Sequence, residues 1–164
     1  MRKLSLFLGL IMTALLAACS GNIQFEIDDD YTYITLSFDE EAVSETVSRI
    51  VTGGVPPLLQ DPVVDLRDGE IVVTGTHVTR RGESYPAYLA FTFFVQDDHL
   101  SAAVTDFDFG GADVPQERID RLNERLAESF ARGAENRNIP ETIFTVVTLT
   151  SEELSITSRT PREN

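Results

Sequence analysis

What the chain has little of narrows its chemistry first. It holds one cysteine (Cys19), one lysine (Lys3), two histidines (His77 and His99) and no tryptophan. A lone cysteine closes no disulfide within the chain. With no second thiol, and no histidine one helical turn from another, the spacing of a zinc site is missing. A Gly-x-Ser-x-Gly elbow for a serine hydrolase is missing too. Asp108-Phe109-Gly110 stands without the glycine-rich loop, strand lysine and catalytic loop that a kinase needs. Asp97, Asp98 and His99 together form the nearest thing to a weak metal site, and a polar hairpin turn explains them better. Asp106 and Asp108 share a strand face, as an acid/base pair would, and one exposed face explains them equally well. No catalytic residue, metal ligand or cofactor is expected, and the chain is not read as an enzyme. Basic surface is also scarce: 27 acidic against 13 basic residues give a formal charge of −14. Nucleic acid and anionic headgroups repel such a body, so no nucleic-acid partner is expected.

What is present begins at the N-terminus. Met1-Arg2-Lys3 precedes an apolar run from Leu4 to Ala18, broken only by Ser5, Gly9 and Thr13. A short basic segment, an apolar core and small residues ahead of a cut make a secretory signal. The run falls short of the roughly 20 apolar residues that span a bilayer. Leu16-Ala17-Ala18-Cys19 resembles the lipobox of bacterial lipoproteins, which implies cleavage before Cys19 and acylation of its sulfur with palmitate-type chains. The alternative is an ordinary signal peptide with an incidental cysteine. Two or more chains on one residue anchor stably. The expectation is therefore a lipoprotein of the cell envelope, held to the cell membrane through Cys19 on its extracytoplasmic face. Removing residues 1–18 from 164 leaves 146, enough for one domain with a core. It also removes Arg2 and Lys3, so the mature charge is two units more negative, −16, and every remaining cation is an arginine.

Residues 19–30 are expected to be the acylated cysteine and an acidic linker ending in Asp28-Asp29-Asp30, residues 31–159 a single α+β domain, and 160–164 a polar tail. Tyr31 to Ser37 has strand character. Ser37 and Glu40 have capping-box spacing, and Phe38, Ala42, Val43, Val47, Ile50 and Val51 follow a helical period up to Gly53-Gly54. Val55 to Leu59 is an apolar loop with nowhere obvious to pack. Asp68-Gly69 between alternating residues signals a hairpin. Turns at Arg80 to Ser84 and Gln96 to His99 extend it into an antiparallel meander. Asp113 has the look of a helix N-cap, with Pro115 in the first turn. Ile119, Leu122, Leu126 and Phe130 then form one apolar stripe, and a closing hairpin follows Pro140.

One strand of the meander is apolar on both faces. Tyr85, Ala87, Leu89, Phe91, Phe93 and Val95 point one way; Tyr88, Ala90 and Phe94 point the other. A sheet wetted on one side alternates more cleanly. Helices can cover one face; curvature, a partner chain or an apolar ligand must cover the other, and a curled sheet with a second small core serves as well as a ligand cavity.

The order of these elements is similar to the tubular lipid-binding (TULIP-like) superfamily, and the chain resembles its LmeA-type phospholipid-binding lipoproteins. The residues that carry the resemblance are "DLRDGEIVVTG", the meander ending "VTDFDFGGADVPQERIDRLNERLAES", and "VTLTSEELSITS". It covers nearly the whole mature chain through generic motifs. It implies a half-roll: a curled antiparallel meander wrapped on a long amphipathic helix, with a second short helix, an acyl chain between sheet and helix, and no catalytic residues. Tyr85, Tyr88, Leu89, Phe91, Phe93 and Phe94 would form the wall of that groove, with Val104, Phe107, Phe109, Leu122, Leu126 and Phe130 completing it. The helix stripe also reads as plain core. Val55 to Leu59 is a candidate lid or a connector, and Arg80 and Arg81 would meet a phosphate headgroup or solvent. The expected ligand is a phospholipid or fatty-acid-like molecule. The alternative function is an anchored module that docks an envelope protein partner and takes no small ligand.

Overall fold

The computed structural model describes residues 21–54, 56–135 and 142–162. The expected signal segment and Cys19 lie outside the described residues. Ten elements follow one another: β1 (Gly21–Ile27), β2 (Tyr31–Asp39), α1 (Glu40–Thr52), β3 (Gln60–Arg67), β4 (Glu70–Val78), β5 (Ser84–Gln96), β6 (His99–Asp108), α2 (Gln116–Glu135), β7 (Ile143–Leu149) and β8 (Glu153–Pro161). The α+β class and the antiparallel meander are as expected from the sequence. The meander, however, is one of two open four-stranded sheets, ordered β3-β4-β5-β6; the second is ordered β1-β2-β8-β7.

The N-terminal segment departs from expectation. Gly21 to Ile27, within the expected linker of residues 19–30, is strand β1 and pairs antiparallel with β2 from Gly21↔Phe38 to Ile27↔Thr32. Alternation explains it: Ile23, Phe25 and Ile27 share one face, Asn22, Gln24 and Glu26 the other. The acidic triplet is the hairpin turn. Asp28 Oδ1 accepts from the backbone N–H of Asp30 (2.8 Å) and of Tyr31 (2.6 Å), which holds its carboxyl below the ordinary carboxylate pKa. The polar tail is also ordered in part: β8 runs to Pro161, and Arg162 donates to the carbonyls of Asp28 (2.8 Å) and Asp30 (2.9 Å).

Helix α1 is capped by Asp39, not Ser37; its side chain accepts from Ala42 N at 2.8 Å. Ser37 instead pairs across the sheet, Oγ to Ser155 Oγ at 2.8 Å. Helix α2 starts at Gln116, with Arg118 N donating to Pro115 O at 2.8 Å, so Asp113 lies three residues ahead of it and is not the residue that starts it. The loop after α1 does pack. Leu58 and Leu59 are buried, and their N–H groups both donate to Val51 O.

Both sheets and both helices feed one core. The first sheet gives Ile34, Leu36, Phe144, Leu154 and Ile156, and the meander gives Val64, Leu66, Ile71, Val73, Leu89, Phe91 and Phe93. Val43, Val47 and Val51 of α1 and Ile119, Leu122, Leu126 and Phe130 of α2 complete it. Helix α1 packs mainly on β3, α2 on β6, and the two helices touch. The two sheets are tied where β7 crosses the end of the meander. Phe144 N donates to Asp98 O (3.0 Å) in one hairpin turn, and Gly69 N donates to Leu149 O (3.0 Å) from the other. In the first of these turns Asp97 and Asp98 both have positive φ (50° and 65°), as a tight two-residue hairpin turn requires.

Candidate ligand cleft

The side chains expected to line a groove between sheet and helix are mostly core. Leu89, Phe91, Phe93, Phe109, Leu122, Leu126 and Phe130 are all buried. Phe130 meets Phe38 and Phe93 edge-on, with ring centroids 5.3 and 5.0 Å apart, and Phe93 meets Phe91 at 5.8 Å. Val104 packs half-buried against them. Of the rest, Phe94 and Phe107 are exposed, and Tyr85 and Tyr88 half-buried. Tyr88 Oη donates to Asp106 Oδ2 at 2.5 Å on the face away from the helices, and that bond raises its pKa. Ala90 and Val72, on the same face, are buried. The second apolar face of β5 thus carries the small, buried Ala90 between the half-buried Tyr88 and the exposed Phe94, and the space between β5 and α2 is filled.

An open cleft of about 370 Å³ lies elsewhere, where α1, α2, the loop after α1 and the β4–β5 turn converge. Its apolar lining is Ile50 and Val51 of α1, Leu58 of the loop and Leu122 of α2, with Gly54 and Pro56. Its polar lining is Arg80, Arg118, Arg121 and Arg125, with no carboxylate. Residues 118, 121, 122 and 125 fall on one side of a helix by their spacing of three and four, so the α2 arginines and Leu122 reach the same space. Arg80 arrives from the β4–β5 turn. Two hydrogen bonds fix the loop as a wall. Arg118 Nη2 donates to Pro56 O (3.0 Å), and the buried His77 donates from Nδ1 to Leu58 O (2.9 Å). With Leu58 and Leu59 buried behind it, this loop is a connector and not a lid; Val55 lies outside the described residues.

The charges in this cleft run against the rest of the molecule. Arg49, Arg67, Arg121 and Arg132 pair with Glu45, Asp65 and Glu70, Glu117, and Glu128 respectively. Arg159 stacks over Tyr31 at 4.6 Å, and Arg162 is spent on carbonyls. Among the described residues, Arg80, Arg81, Arg118 and Arg125 form no ion pair, although the chain has about two acids for each base. Three of these four line the cleft. Arg81 lines an adjoining one of about 520 Å³ that shares Pro56, Arg80 and Arg118 with the first and also carries Glu83 and Asp113. Partial burial, then repulsion from Arg121 and Arg80, pushes the Arg118 guanidinium below its usual pKa. A guanidinium is charged at any physiological pH, so an anion in the cleft would relieve that repulsion.

A further cleft, about 630 Å³, does lie between β6 and α2, lined by Leu100, Ala102, Ala127, Ala131 and Phe144 with His99, Ser101 and Asn123. It contains none of the groove residues expected from the sequence. Its charged lining is Glu124, Glu128 and Arg132, and Arg132 is paired with Glu128. It therefore offers an anion nothing.

The sequence pointed to Arg80, Arg81 and the Val55–Leu59 loop only in passing, and missed Arg118, Arg121 and Arg125. Their spacing beside Leu122 was the available signal, hidden because charged residues flanking an apolar stripe ordinarily face solvent. Among the described residues no helix is long and apolar enough to cross a membrane. No family model, curated protein or solved structure matches the chain.

Proposed function

We propose that the chain is an anchored lipoprotein on the extracytoplasmic face of the cell membrane, and that its body binds an amphiphile with an anionic head in the arginine cleft. The observation that carries this reading is the gathering of unpaired arginines over an apolar floor in a strongly acidic chain. Guanidinium groups bind phosphate and carboxylate through paired N–H donors. The start of the apolar tail would lie on the half-buried Ile50 and the edges of Val51, Leu58 and Leu122, each methylene it buries contributing about 0.8 kcal/mol. On a body that otherwise repels anions, the arginines give this cleft a local positive field. The resemblance to TULIP-like lipoproteins supports an amphiphile as the ligand class. The ligand is placed in the cleft because Phe91, Phe93 and Phe130 fill the groove that a half-roll would use.

The test uses a chain beginning at Gly21, which retains every core residue, and three probes: dodecyl phosphate, dodecanol and inorganic phosphate. Dodecyl phosphate should bind best by native mass spectrometry and calorimetry. Arg118→Gln with Arg125→Gln should weaken it by about tenfold or more, the scale of one charge-assisted hydrogen bond. Equal binding of dodecanol, or unchanged binding by the double variant, would remove the arginines from the account. Anchoring is checked separately: a clickable palmitate analogue should label the full chain and not Cys19→Ser.

A further inference from the structure

The four sheet edges are treated unequally. At β6 the edge is covered by α2: Asn123 Oδ1 accepts from Val104 N at 3.0 Å. At β3 a register shift between Gln60 and Val63, with Asp61 at φ 48° and Pro62 beside it, spoils the edge, and α1 packs on that strand. At β7 the ends bond to the hairpin turns of the other sheet. Bulges, proline and covering elements are the usual means of blocking unwanted pairing. Among the described residues, only β1 has none of them. Its outer edge pairs with no described strand, its seven residues include no proline, and Glu26 is its one charge. Phe25 and Ile27, on the face that continues the core side of the sheet, are 60% and 63% exposed, whereas Ile23 on the same face packs against the core.

We infer that β1 is a homodimerisation edge, at which two copies of this chain pair their β1 strands antiparallel about a two-fold axis through Phe25 and join two four-stranded sheets into one of eight. The inference goes beyond ligand binding and does not depend on it. The choice of a second copy rests on the strand's self-complementarity. A two-fold axis requires one surface to match itself. With Phe25 opposite Phe25, Ile23 meets Ile27 of the second copy, so all three apolar residues of each strand meet apolar residues on one face. On the other face Gln24 meets Glu26, and the acid faces an amide, not its own copy. Moving the axis to Gln24 sets Ile27 against Gly21. Moving it to Glu26 opposes two carboxylates, which destabilises a cross-strand pair. The hydrophobic pattern thus selects one register. For a body of such negative charge, a seam with one acid per strand is a place where two copies can meet. Anchoring at Cys19, two residues before β1, would also hold the strands of neighbouring copies at one height and raise their effective concentration.

The experiment uses the full chain in the membranes that express it. Phe25→Cys, Ile23→Cys and Ile27→Cys are each oxidised with copper phenanthroline and run on non-reducing gels beside the wild type, which reports any contribution of Cys19. Residues directly opposite on antiparallel strands have Cα atoms about 4.5–5.5 Å apart, within disulfide reach. Phe25→Cys should cross-link to a dimer. Ile23→Cys and Ile27→Cys should not do so alone, and should when co-expressed with different tags. Phe25→Lys, at a site 60% exposed, should keep the wild-type circular dichroism spectrum and make the detergent-extracted protein monomeric by sedimentation. Absence of a Phe25→Cys dimer above wild type, equal cross-linking at all three positions, or cross-linking to a different protein would each overturn the inference.

Discussion

The two ends of α2 do different work. Toward its C-terminus, Phe130 sits edge-on between Phe38 and Phe93, and Leu126 beside it is fully buried. Toward its N-terminus, Arg118, Arg121 and Arg125 flank Leu122 around an open cleft. The same apolar stripe runs through both regions. What distinguishes them is the charge next to the stripe: Arg118 and Arg125 form no ion pair among the described residues, whereas Arg121 pairs with Glu117 and Arg132 with Glu128. Aromatic density marks where the protein is solid, while cations without ion-pair partners gather where it is open.

Substitutions can break this contrast, and the largest effect is expected in the solid half. Phe130→Ala removes a buried ring and should cost about 3–5 kcal/mol in chemical denaturation; a loss under about 1 kcal/mol would mean that the aromatic cluster is loosely packed. Asp39→Ala, which leaves Ala42 N without its cap, should cost about 1 kcal/mol in the same assay. Arg118→Gln should change stability by less than about 0.5 kcal/mol, because the lost bond to Pro56 O is offset by relief from Arg121 and Arg80. If that offset operates, lowering the salt should shift the balance further toward the variant, since screening weakens the repulsion.

The smallest effect concerns Tyr88. Its pKa is raised above 10.0 by the hydrogen bond to Asp106, so the folded state prefers the neutral phenol. That preference contributes fully below pH 10.0 and is lost as the pH climbs through the folded-state pKa. In Asp106→Asn the phenolate absorbance of Tyr88 should therefore appear at lower pH than in the wild type. An unchanged titration would detach Tyr88 from Asp106.

The meander, both helices and the closing hairpin were legible because period and turn chemistry are local. Asp68-Gly69 and the alternation of β5 are examples. The partition into two sheets was not legible, since it depends on β2 choosing β8, with Leu36 opposite Ile156, across more than a hundred residues. Strand β1 was hidden by its neighbours: a triplet of aspartates after a segment that resembles a lipobox suggests a solvated tether, yet Asp28 turns the chain. The two-sided apolarity of β5 was visible, but not its cause. Ala90 and Val72 are small enough to be buried by the side chains around them, while Phe94 on the same face stays exposed. The cleft escaped notice because its arginines come from two distant segments, and nothing local in either segment shows that Arg80, Arg118 and Arg125 lack carboxylate partners.

The most direct measurement is a nuclear magnetic resonance titration of the chain from Gly21 with dodecyl phosphate, following backbone amides. The account predicts that the shifts cluster at Ile50 to Leu58, around Arg80 and from Arg118 to Arg125, and leave β5 and the C-terminal half of α2 unmoved. Shifts centred on Leu100, Ala102, Ala127 and Ala131, or on Phe91 and Phe93, would contradict it and return the ligand to the space between sheet and helix.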